Sequence, residues 1–404
     1  MSEAKKKIAL VIERMDIALG GAERSVFELA TAISALGFDV DILAAKGQTN
    51  AKNIHILCQN TPGKRACYFT FAKKLKKHLS ENHYDIVHSV LPFDFADVYQ
   101  PRGGSFAESI LRNAASYQDK FVGVYKRITA FANLRRAIFL RAERRLCKDS
   151  GGPVIVALSK YVAEQFKKHY GVGDDRIVVV PNGVKIDKRI DTARADKLRN
   201  QIFTQLGLNE ADKPVFFLFA ANNFRLKGLT PLIKAMQVVS QKNTERKAYL
   251  IVAGNGRAYK YRRLAKKLNI HKKIIFLGAV RNIQDALSIV DAAVLPTFYD
   301  PSSRYILEAI AAGKPVITTK FNGATDLFIN NRHGRVIDCP ENVPALAEAI
   351  SFFTDTSNIQ AASRAIIADD LKAKVSIGRV VEQLIPVYES ICHKASLTGL
   401  EKRG

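Results

Sequence analysis

Residues 298–318 read FYDPSSRYILEAIAAGKPVIT, and this stretch indicates the fold of the second half of the chain. It follows an apolar run at residues 292–295, which is typical of a buried strand that leads into a loop. From about Ser303 the apolar residues recur at helical spacing, and Gly313 followed by Pro315 ends the helix before another apolar run. Strand, helix and strand in this order predict a parallel sheet, which binds ligands beyond the carboxyl ends of its strands.

Two acids flank the start of this predicted helix. Asp300 lies in the loop before the helix, and Glu308 lies about one and a half turns inside it. Ser302, Ser303 and the amides of the first turn are expected beside the same pocket, and those amides carry partial positive charge. A sugar joined to a diphosphate needs such amides and also carboxylates that accept from hydroxyls. The alternative is that Asp300 is only a helix-start acid and that Glu308 is a solvated surface residue.

Alternating strands and helices run through both halves of the chain. The first strand is predicted at residues 7–12, and the alternation restarts at Pro214 after a polar, charged stretch. This pattern indicates two α/β domains with parallel sheets that leave a cleft between them. We therefore expect a first domain over residues 1–184, a linker over 185–213, a second domain over 214–375 and a helix over 376–404 that returns to the first domain.

Composition limits the classes of function. The chain has 404 residues, of which 47% are hydrophobic, and no apolar run approaches the ~20 residues of a membrane span. The five cysteines lack disulfide or metal spacing, and the first apolar run resembles a strand more than a signal peptide, so we expect a reducing cytosol. The net charge of +24 predicts an anionic partner. Without an interleaved aromatic and basic platform, a membrane surface or an anionic substrate is favoured over nucleic acid.

Candidate ligand contacts in the first half each have a structural alternative. Gly20 and Gly21 follow the first strand and either let a phosphate approach the backbone or form only a turn. His88 ends a short strand, so that it either faces the ligand edge of the sheet or packs in the core. Asp97 either holds an acceptor hydroxyl or lies on a helix surface.

A basic segment covers residues 120–148. Its apolar residues recur at helical spacing among many Lys and Arg residues, and Glu143 is the only acid. One basic amphipathic helix of this kind fits an anionic bilayer, where each basic group near the surface contributes about 1 kcal/mol. An ordinary surface helix with its apolar stripe in the core is the alternative.

Two bases precede a helix in the second half. Arg225 and Lys227 stand just before Gly228, a position suited to neutralising a departing diphosphate. No D-x-D motif or histidine cluster is available in this half of the chain to hold a metal ion for this purpose. Two surface bases on a turn are the alternative.

The motifs occur in a specific order, which is GGAER at 20–24, DIVH at 85–88, LKG at 226–228, VAGNG at 252–256 and LEAIAAGKPVITT at 307–319. This set resembles the retaining, nucleotide-sugar-dependent glycosyltransferase family four, and the likeness covers nearly the whole chain. Within the family, DVY at 97–99 and the basic segment look most like the enzymes that add the first glucose to the heptose of a lipopolysaccharide core. The resemblance implies two Rossmann-like domains facing across a deep cleft, the glycosyltransferase B-type fold. The domain at 1–184 would be the acceptor and membrane side, and the domain at 214–375 would bind the nucleotide sugar.

The resemblance also implies roles for the candidate residues. Glu308 would bind the ribose hydroxyls and Asp300 the hydroxyls of the donor sugar. Arg225 and Lys227 would hold the diphosphate. The diphosphate would also contact the amides of Gly21, Arg304 and Tyr305, with Gly20 and Ser303 beside them. Val280 and Arg281 would lie at the base, His88 at the donor sugar and Asp97 at the acceptor.

Three positions depart from the family pattern. Asp300 stands in place of the usual Glu, Ser303 in place of a usual Gly, and Asn222 where many members have Arg. We expect these differences to affect the choice of donor more than the activity itself.

The expected function is a metal-independent, retaining hexosyl transfer that needs no cofactor. The expected donor is UDP-glucose and the expected acceptor is a lipid-linked glycan such as a lipopolysaccharide core. The expected location is the cytoplasm, at the inner face of the cytoplasmic membrane, with no nucleic-acid partner. The alternatives are a different donor or a soluble acceptor, and a degenerate member that binds nucleotide sugar or membrane without catalysis.

Overall fold

The computed structural model describes residues 5–16, 21–49, 51–61, 63, 65–117, 119–129, 132–187, 189–242 and 246–398. The chain divides into two compact units. The first consists of residues 1–110, 127–184 and 377–404, and the second consists of residues 111–126 and 185–376.

The first unit is built on a parallel seven-stranded sheet in the order β3-β2-β1-β4-β5-β6-β7, as far as the described residues extend. Its strands are β1 (Lys7–Met15), β2 (Asp39–Gly47), β3 (Ile54–Ile56), β4 (Ile86–Ser89), β5 (Val98–Tyr99), β6 (Val154–Ala157) and β7 (Ile177–Val179). Its helices are α1 (Gly21–Ala35), α2 (Tyr68–Glu81), α3 (Phe106–Ala115), α4 (Lys120–Thr129), α5 (Leu134–Lys148) and α6 (Lys160–Tyr170). The end of α3 and the start of α4 are counted with the second unit.

The second unit is built on a parallel six-stranded sheet in the order β10-β9-β8-β11-β12-β13, again within the described residues. Its strands are β8 (Val215–Ala220), β9 (Ala248–Ala253), β10 (Ile274–Gly278), β11 (Ala292–Leu295), β12 (Val316–Thr319) and β13 (Gly334–Ile337). Its helices are α7 (Thr192–Leu206), α8 (Leu229–Gln241), α9 (Tyr259–Lys267), α10 (Ile283–Ser288), α11 (Arg304–Ala311), α12 (Val343–Phe352), α13 (Thr356–Ala368) and α14 (Leu371–Lys374).

The strands are short apolar runs because helices cover both faces of each sheet. In the first unit, Ile8 and Leu10 of β1 pack in one core cluster with Leu29 and Ile33 of α1. In the second unit, every residue of β9 and β11 is buried. The prediction of two α/β domains with parallel sheets is confirmed.

The last helix, α15 (Ile377–Thr398), belongs to the first unit. The amide of Ile377 donates to the carbonyl of Val184 at 2.9 Å, and Val380 and Leu384 join the core cluster that contains α1. The prediction that the C-terminal helix returns to the first domain is therefore confirmed.

The predicted linker at residues 185–213 is mostly a helix and belongs to the second unit. Asp191 caps the amino end of α7 through the amide of Arg194, and Gly207 ends the helix in the left-handed conformation. The stretch is polar because α7 buries only a narrow stripe, formed by Ala195, Ile202 and Phe203. The interpretation of the whole stretch as a linker was therefore wrong.

The basic segment at residues 120–148 forms two helices, α4 and α5, and the prediction of one continuous helix was wrong. Helix α5 turns Phe139, Leu140 and Leu146 into the first unit. Glu143 is also buried there, where it accepts hydrogen bonds from the hydroxyl of Tyr99, the hydroxyl of Tyr170 and the amide of Phe106. Burial raises the pKa of Glu143 to about 7. Core packing therefore accounts for the apolar residues of α5.

Candidate functional site

The loops after β8, β10, β11 and β12 meet at one edge of the six-stranded sheet. All six strands are parallel, so that their carboxyl ends lie on the same side. This edge carries Lys227 after β8, Val280 and Arg281 after β10, Asp300 after β11 and Asn322 after β12. Val280 is half-buried and Arg281 is exposed. The topology thus places the predicted second-domain residues at the edge where open α/β sheets bind ligands.

Lys227 and Asp300 form an ion pair at this edge. The Nζ atom of Lys227 lies 2.6 Å from Oδ2 of Asp300 and donates to the carbonyl of Tyr299 at 2.9 Å. The two charged side chains are only 19% and 14% exposed. Asp300 therefore forms an ion pair with a residue 73 positions away in the sequence. An acid that only starts a helix would not need such a partner.

Gly228 permits the close approach of the two loops that carry this pair. Its φ is +79°, a conformation that other residues rarely adopt. A Cβ atom at this position would lie 1.9 Å from the carbonyl oxygen of Pro296. Only glycine fits there, and the β8 loop consequently lies directly on the loop that follows β11.

Asn322 fixes the amino end of α11, a role that the sequence analysis did not assign. Its Oδ1 atom accepts from the amides of Ser303 at 3.2 Å and Ala324 at 3.1 Å, while its Nδ2 donates to Thr318 at 2.9 Å. Ser303 is the capping residue, although its own side chain makes no capping hydrogen bond. The run NGATD at 322–326 signals only the bond to Ala324, because Asn side chains often accept from a backbone amide two residues on, whereas the bond to Ser303 spans 19 residues.

Glu308 lies inside the first turns of α11 and is only 7% exposed. Its Oε1 atom is 3.8 Å from Nη2 of Arg304, one turn earlier on the same helix. Tyr305, between them, donates its hydroxyl to the carbonyl of Leu218, and burial raises its pKa well above the usual value. This burial does not fit the alternative of a solvated surface acid at position 308.

Arg225 and Lys227 contact different groups, although the resemblance implied that they hold one diphosphate together. Arg225 donates from Nη1 and Nη2 to the backbone and side-chain oxygens of Asn113, at 2.9 Å and 2.8 Å, and also to the hydroxyl of Ser116. Its guanidinium stacks 3.8 Å from the ring centre of Tyr117. No local pattern in the sequence links these residues, which are about a quarter of the chain apart.

The glycine pair is only partly described. Gly21 is the first residue of α1 and is exposed, whereas Gly20 lies outside the described residues.

His88 lies in the core of the first unit, where the prediction had placed it at the donor sugar. It is 2% exposed, and its Nδ1 atom is 2.6 Å from the hydroxyl of Tyr388 on α15. Burial, assisted by the charge of Arg102, lowers the pKa of His88 to about 3, so that the ring is neutral. The prediction of a sugar contact is corrected to a structural role, because α15 occupies the space beside the ring.

Asp97 lies at the wrong edge of its sheet for an acceptor contact. It directly precedes β5 and therefore stands at the amino ends of the parallel strands. Its Oδ2 atom accepts from the amide of Val87 at 2.7 Å. The predicted role of Asp97 at the acceptor is therefore wrong, and the side chain satisfies a backbone donor of β4.

The described part of the chain contains neither a metal-binding cluster nor a membrane-spanning helix. No group of three or more His, Cys, Asp or Glu side chains there could hold a metal ion. None of the helices in that part is both long enough and apolar enough to cross a bilayer.

Two family descriptions match successive parts of the chain. Residues 19–188 match Glycosyltransferase Family 4, and residues 199–367 match Glycosyl transferases group 1. The two matches together span most of the sequence and correspond to the two sheets in order.

Individual relatives agree with this assignment. The lipopolysaccharide glucosyltransferase WaaG of Escherichia coli is 23% identical over 340 residues, which cover 82% of this chain and 85% of WaaG. The crystal structure of WaaG superposes with a TM-score of 0.72 at 20% identity, covering 93% of this chain and 98% of WaaG. HepE of Anabaena, in complex with UDP and glucose, superposes with a TM-score of 0.67 at 17% identity, covering 95% and 100% of the two chains. The chain therefore belongs to the glycosyltransferases in which a family 4 domain precedes a group 1 domain, with two Rossmann-like parallel sheets of the B-type fold.

Proposed function

We propose that this glycosyltransferase moves glucose from UDP-glucose to a lipid-linked glycan, with retention of configuration at the anomeric carbon and without a metal ion. The main observation in support is the Lys227–Asp300 ion pair at 2.6 Å, next to the amino end of α11 with its buried Glu308. The likeness to WaaG, a lipopolysaccharide glucosyltransferase, and to HepE, which binds UDP and glucose, supports this choice of donor and acceptor.

Each part of the site has a proposed task in the reaction. Lys227 and the first-turn amides of α11 neutralise the charge that develops on the leaving diphosphate, and Glu308 accepts hydrogen bonds from the ribose. Asp300 orients Lys227 and accepts from hydroxyls of the glucose.

The proposed chemistry retains the anomeric configuration because the acceptor approaches on the face that the diphosphate leaves. The bond from the anomeric carbon to the phosphate oxygen breaks as the bond to the acceptor oxygen forms. The acceptor proton passes to the departing phosphate. Asp300 is engaged by Lys227 and is not needed as the base.

The lipid-linked acceptor and the membrane location are supported by the surface of α4. Phe121, Val124, Tyr125 and Ile128 are 88%, 58%, 61% and 67% exposed, and Lys126 and Arg127 lie among them. Apolar side chains interleaved with bases suit the boundary of an anionic bilayer. We expect the protein to act at the inner face of the cytoplasmic membrane through this helix.

Donor use is tested with purified full-length protein. UDP-glucose should raise the melting temperature more than ADP-glucose or GDP-mannose does, and free UDP should be released slowly without acceptor. Product NMR should show an α-linked glucose, and dialysis against EDTA should leave the rate unchanged. A protein that neither binds nor hydrolyses any nucleotide sugar would be a degenerate member, and the proposal would be wrong.

Membrane contact is tested by sedimentation with vesicles. The double variant Phe121→Ser/Ile128→Ser should lose binding to vesicles that contain phosphatidylglycerol. The control Ile367→Ser removes a side chain that is 73% exposed on α13 and should bind as the wild type does. Equal binding by all three proteins would remove the membrane location and leave the transfer reaction in place.

A further inference from the structure

The carboxyl end of α3 packs with the second unit, although it lies in the first half of the sequence. Residues 111–126 are counted with that unit. Arg112 and Asn113 are consecutive in α3 and contact two different loops at the carboxyl edge of the six-stranded sheet. Arg112 contacts the loop after β12, and Asn113 contacts the loop after β8. Both of these loops belong to the candidate site.

Arg112 stacks on the ring of Phe321. Its guanidinium carbon lies 3.8 Å from the ring centre, well inside the ~6 Å over which an aromatic face attracts a cation. Both side chains are half-buried, so water screens the contact only in part. The amine of Lys320 lies over the same ring at 5.9 Å, so Arg112 is the closer of these two cations.

The main chain of Phe321 holds the loop that carries Asp300. The amide of Asp300 donates to the carbonyl of Phe321 at 2.9 Å, and the amide of Gly323 donates to the carbonyl of Asp300 at 2.9 Å. Asp300 and Asn322 thereby form an isolated parallel bridge beyond the ends of β11 and β12. A shift of this bridge would move the backbone of Asp300, and with it the carboxylate that pairs with Lys227.

The next residue of α3 fixes the position of Arg112. Asn113 accepts from both terminal nitrogens of Arg225, at 2.9 Å through its carbonyl and at 2.8 Å through its side chain. The ring of Tyr117 stacks on the same guanidinium at 3.8 Å. These contacts anchor α3 to the loop after β8, and α3 therefore holds Arg112 against Phe321.

We infer that Arg112 is a positioning residue of the transfer site, which acts through Phe321 on Asp300. The stack restrains Phe321, and the backbone bridge passes this restraint to Asp300. The inference deepens the proposed function and rests on it, since Asp300 accepts from the glucose hydroxyls in that function. UDP carries no glucose, so the binding of UDP-glucose should depend on Arg112 more strongly than the binding of UDP does.

The experiment compares the affinities of UDP-glucose and UDP for the full-length protein by calorimetric titration. Arg112→Gln should weaken UDP-glucose binding about fivefold or more, while UDP affinity stays within about twofold of wild type. Arg112→Lys keeps a cation over the ring and should lie closer to the wild type. The matched control Arg335→Gln removes a similar stack, 4.0 Å from the ring centre of Phe352 between β13 and α12, and should bind both ligands as the wild type does. Melting temperatures verify that the variants are folded.

Two further measurements separate a positioning role from a general loosening of the fold. In a double-mutant cycle, Arg112→Gln should add little to the effect of Asp300→Ala, because the effect of Arg112 passes through Asp300. Hydrogen exchange followed by mass spectrometry should be faster in Arg112→Gln for the peptides that contain the amides of Asp300 and Gly323. The same peptides should exchange as in the wild type in Arg335→Gln.

Any of three results would overturn the inference. One is an equal change, including no change, in the affinities of Arg112→Gln for UDP and UDP-glucose. Another is a double variant whose loss is the sum of the two single losses. The third is wild-type exchange at the Asp300 amide in Arg112→Gln. The exchange measurement needs no ligand, so a wild-type protein that binds no UDP-glucose refutes the proposed function while the exchange data still decide whether Arg112 positions Asp300.

Discussion

Substitution of Lys227 by Ala removes the cation that the structure places against Asp300. The lost contacts are the 2.6 Å ion pair and the 2.9 Å hydrogen bond to the carbonyl of Tyr299. The pair is less than one-fifth exposed, so Asp300 would remain largely buried without this partner. We expect the folded state to lose about 1–3 kcal/mol, the usual cost of leaving such a group unsatisfied.

The effect of Lys227→Ala on catalysis should be larger than its effect on stability. Removal of one preorganised donor to a developing charge typically lowers the rate by about 10²–10³-fold, or about 3–4 kcal/mol. Initial rates of UDP release and of transfer are measured well below the melting temperature of the variant, so that unfolding does not contribute. UDP affinity should also fall, because the diphosphate contact exists in the ground state.

The matched control is Lys234→Ala, which removes an exposed lysine from α8, the helix that follows the same loop. It should keep the wild-type rate. The double variant Lys227→Ala/Asp300→Ala should show an effect smaller than the sum of the two single changes, because the side chains contact each other. A Lys227→Ala enzyme that is folded and within about threefold of the wild-type rate would refute the assignment of the diphosphate to this edge.

Three further predictions follow from single positions. Glu308→Ala should weaken UDP binding by about 10–100-fold, the range for a lost hydrogen bond to a charged group. The exposed control Glu348→Ala should bind UDP as the wild type does. Equal UDP affinities of the two variants would contradict the ribose contact. Gly313→Ala should destabilise the fold by ~1–2 kcal/mol, because it meets left-handed strain (φ +72°) but no atom within 4 Å. Gly228→Ala should destabilise the fold by more, since its Cβ atom also meets the carbonyl of Pro296. Similar denaturation midpoints of the two variants would count against the close approach of the loops. The folded state holds the pKa of His88 at about 3 against 6.5 when unfolded, so only the unfolded chain gains a proton between these values and the wild type loses stability as pH falls. His88→Asn should lose less stability than wild type between pH 6.5 and 4 in urea denaturation; parallel pH profiles would mean that His88 is not buried and neutral.

Local patterns in the sequence were sufficient to predict the class of the fold and most of its elements, although α7 was missed and α4 and α5 were predicted as one helix. The apolar runs gave the strands, and the Gly313 and Pro315 signals ended α11 close to where the structure ends it, at Ala311. The described strands of each sheet are parallel, so the loops that follow them lie at the same edge. A prediction of where the strands end therefore also predicts which loops lie together. The sequence alone therefore predicts that Lys227, Asp300 and Glu308 lie at one edge.

Partners that are distant in sequence could not be predicted from those patterns. A polar side chain beside an apolar run looks the same whether it faces ligand or the core, and only the fold brings His88 to Tyr388, 300 residues away. The same holds for Asp97, which stands at the amino edge of its sheet, and for Glu143, which lies in a tyrosine-lined core.

Arg225 illustrates what the sequence and the tertiary structure each determined. The sequence by itself determined that it stands in a loop after a buried strand and before a helix, since strand and helix periodicity depend on neighbours within a few residues. The tertiary structure alone decided that its guanidinium binds Asn113, 112 residues earlier. The physical reason is that side-chain direction is set by packing and hydrogen bonding between elements that meet only when the chain has folded.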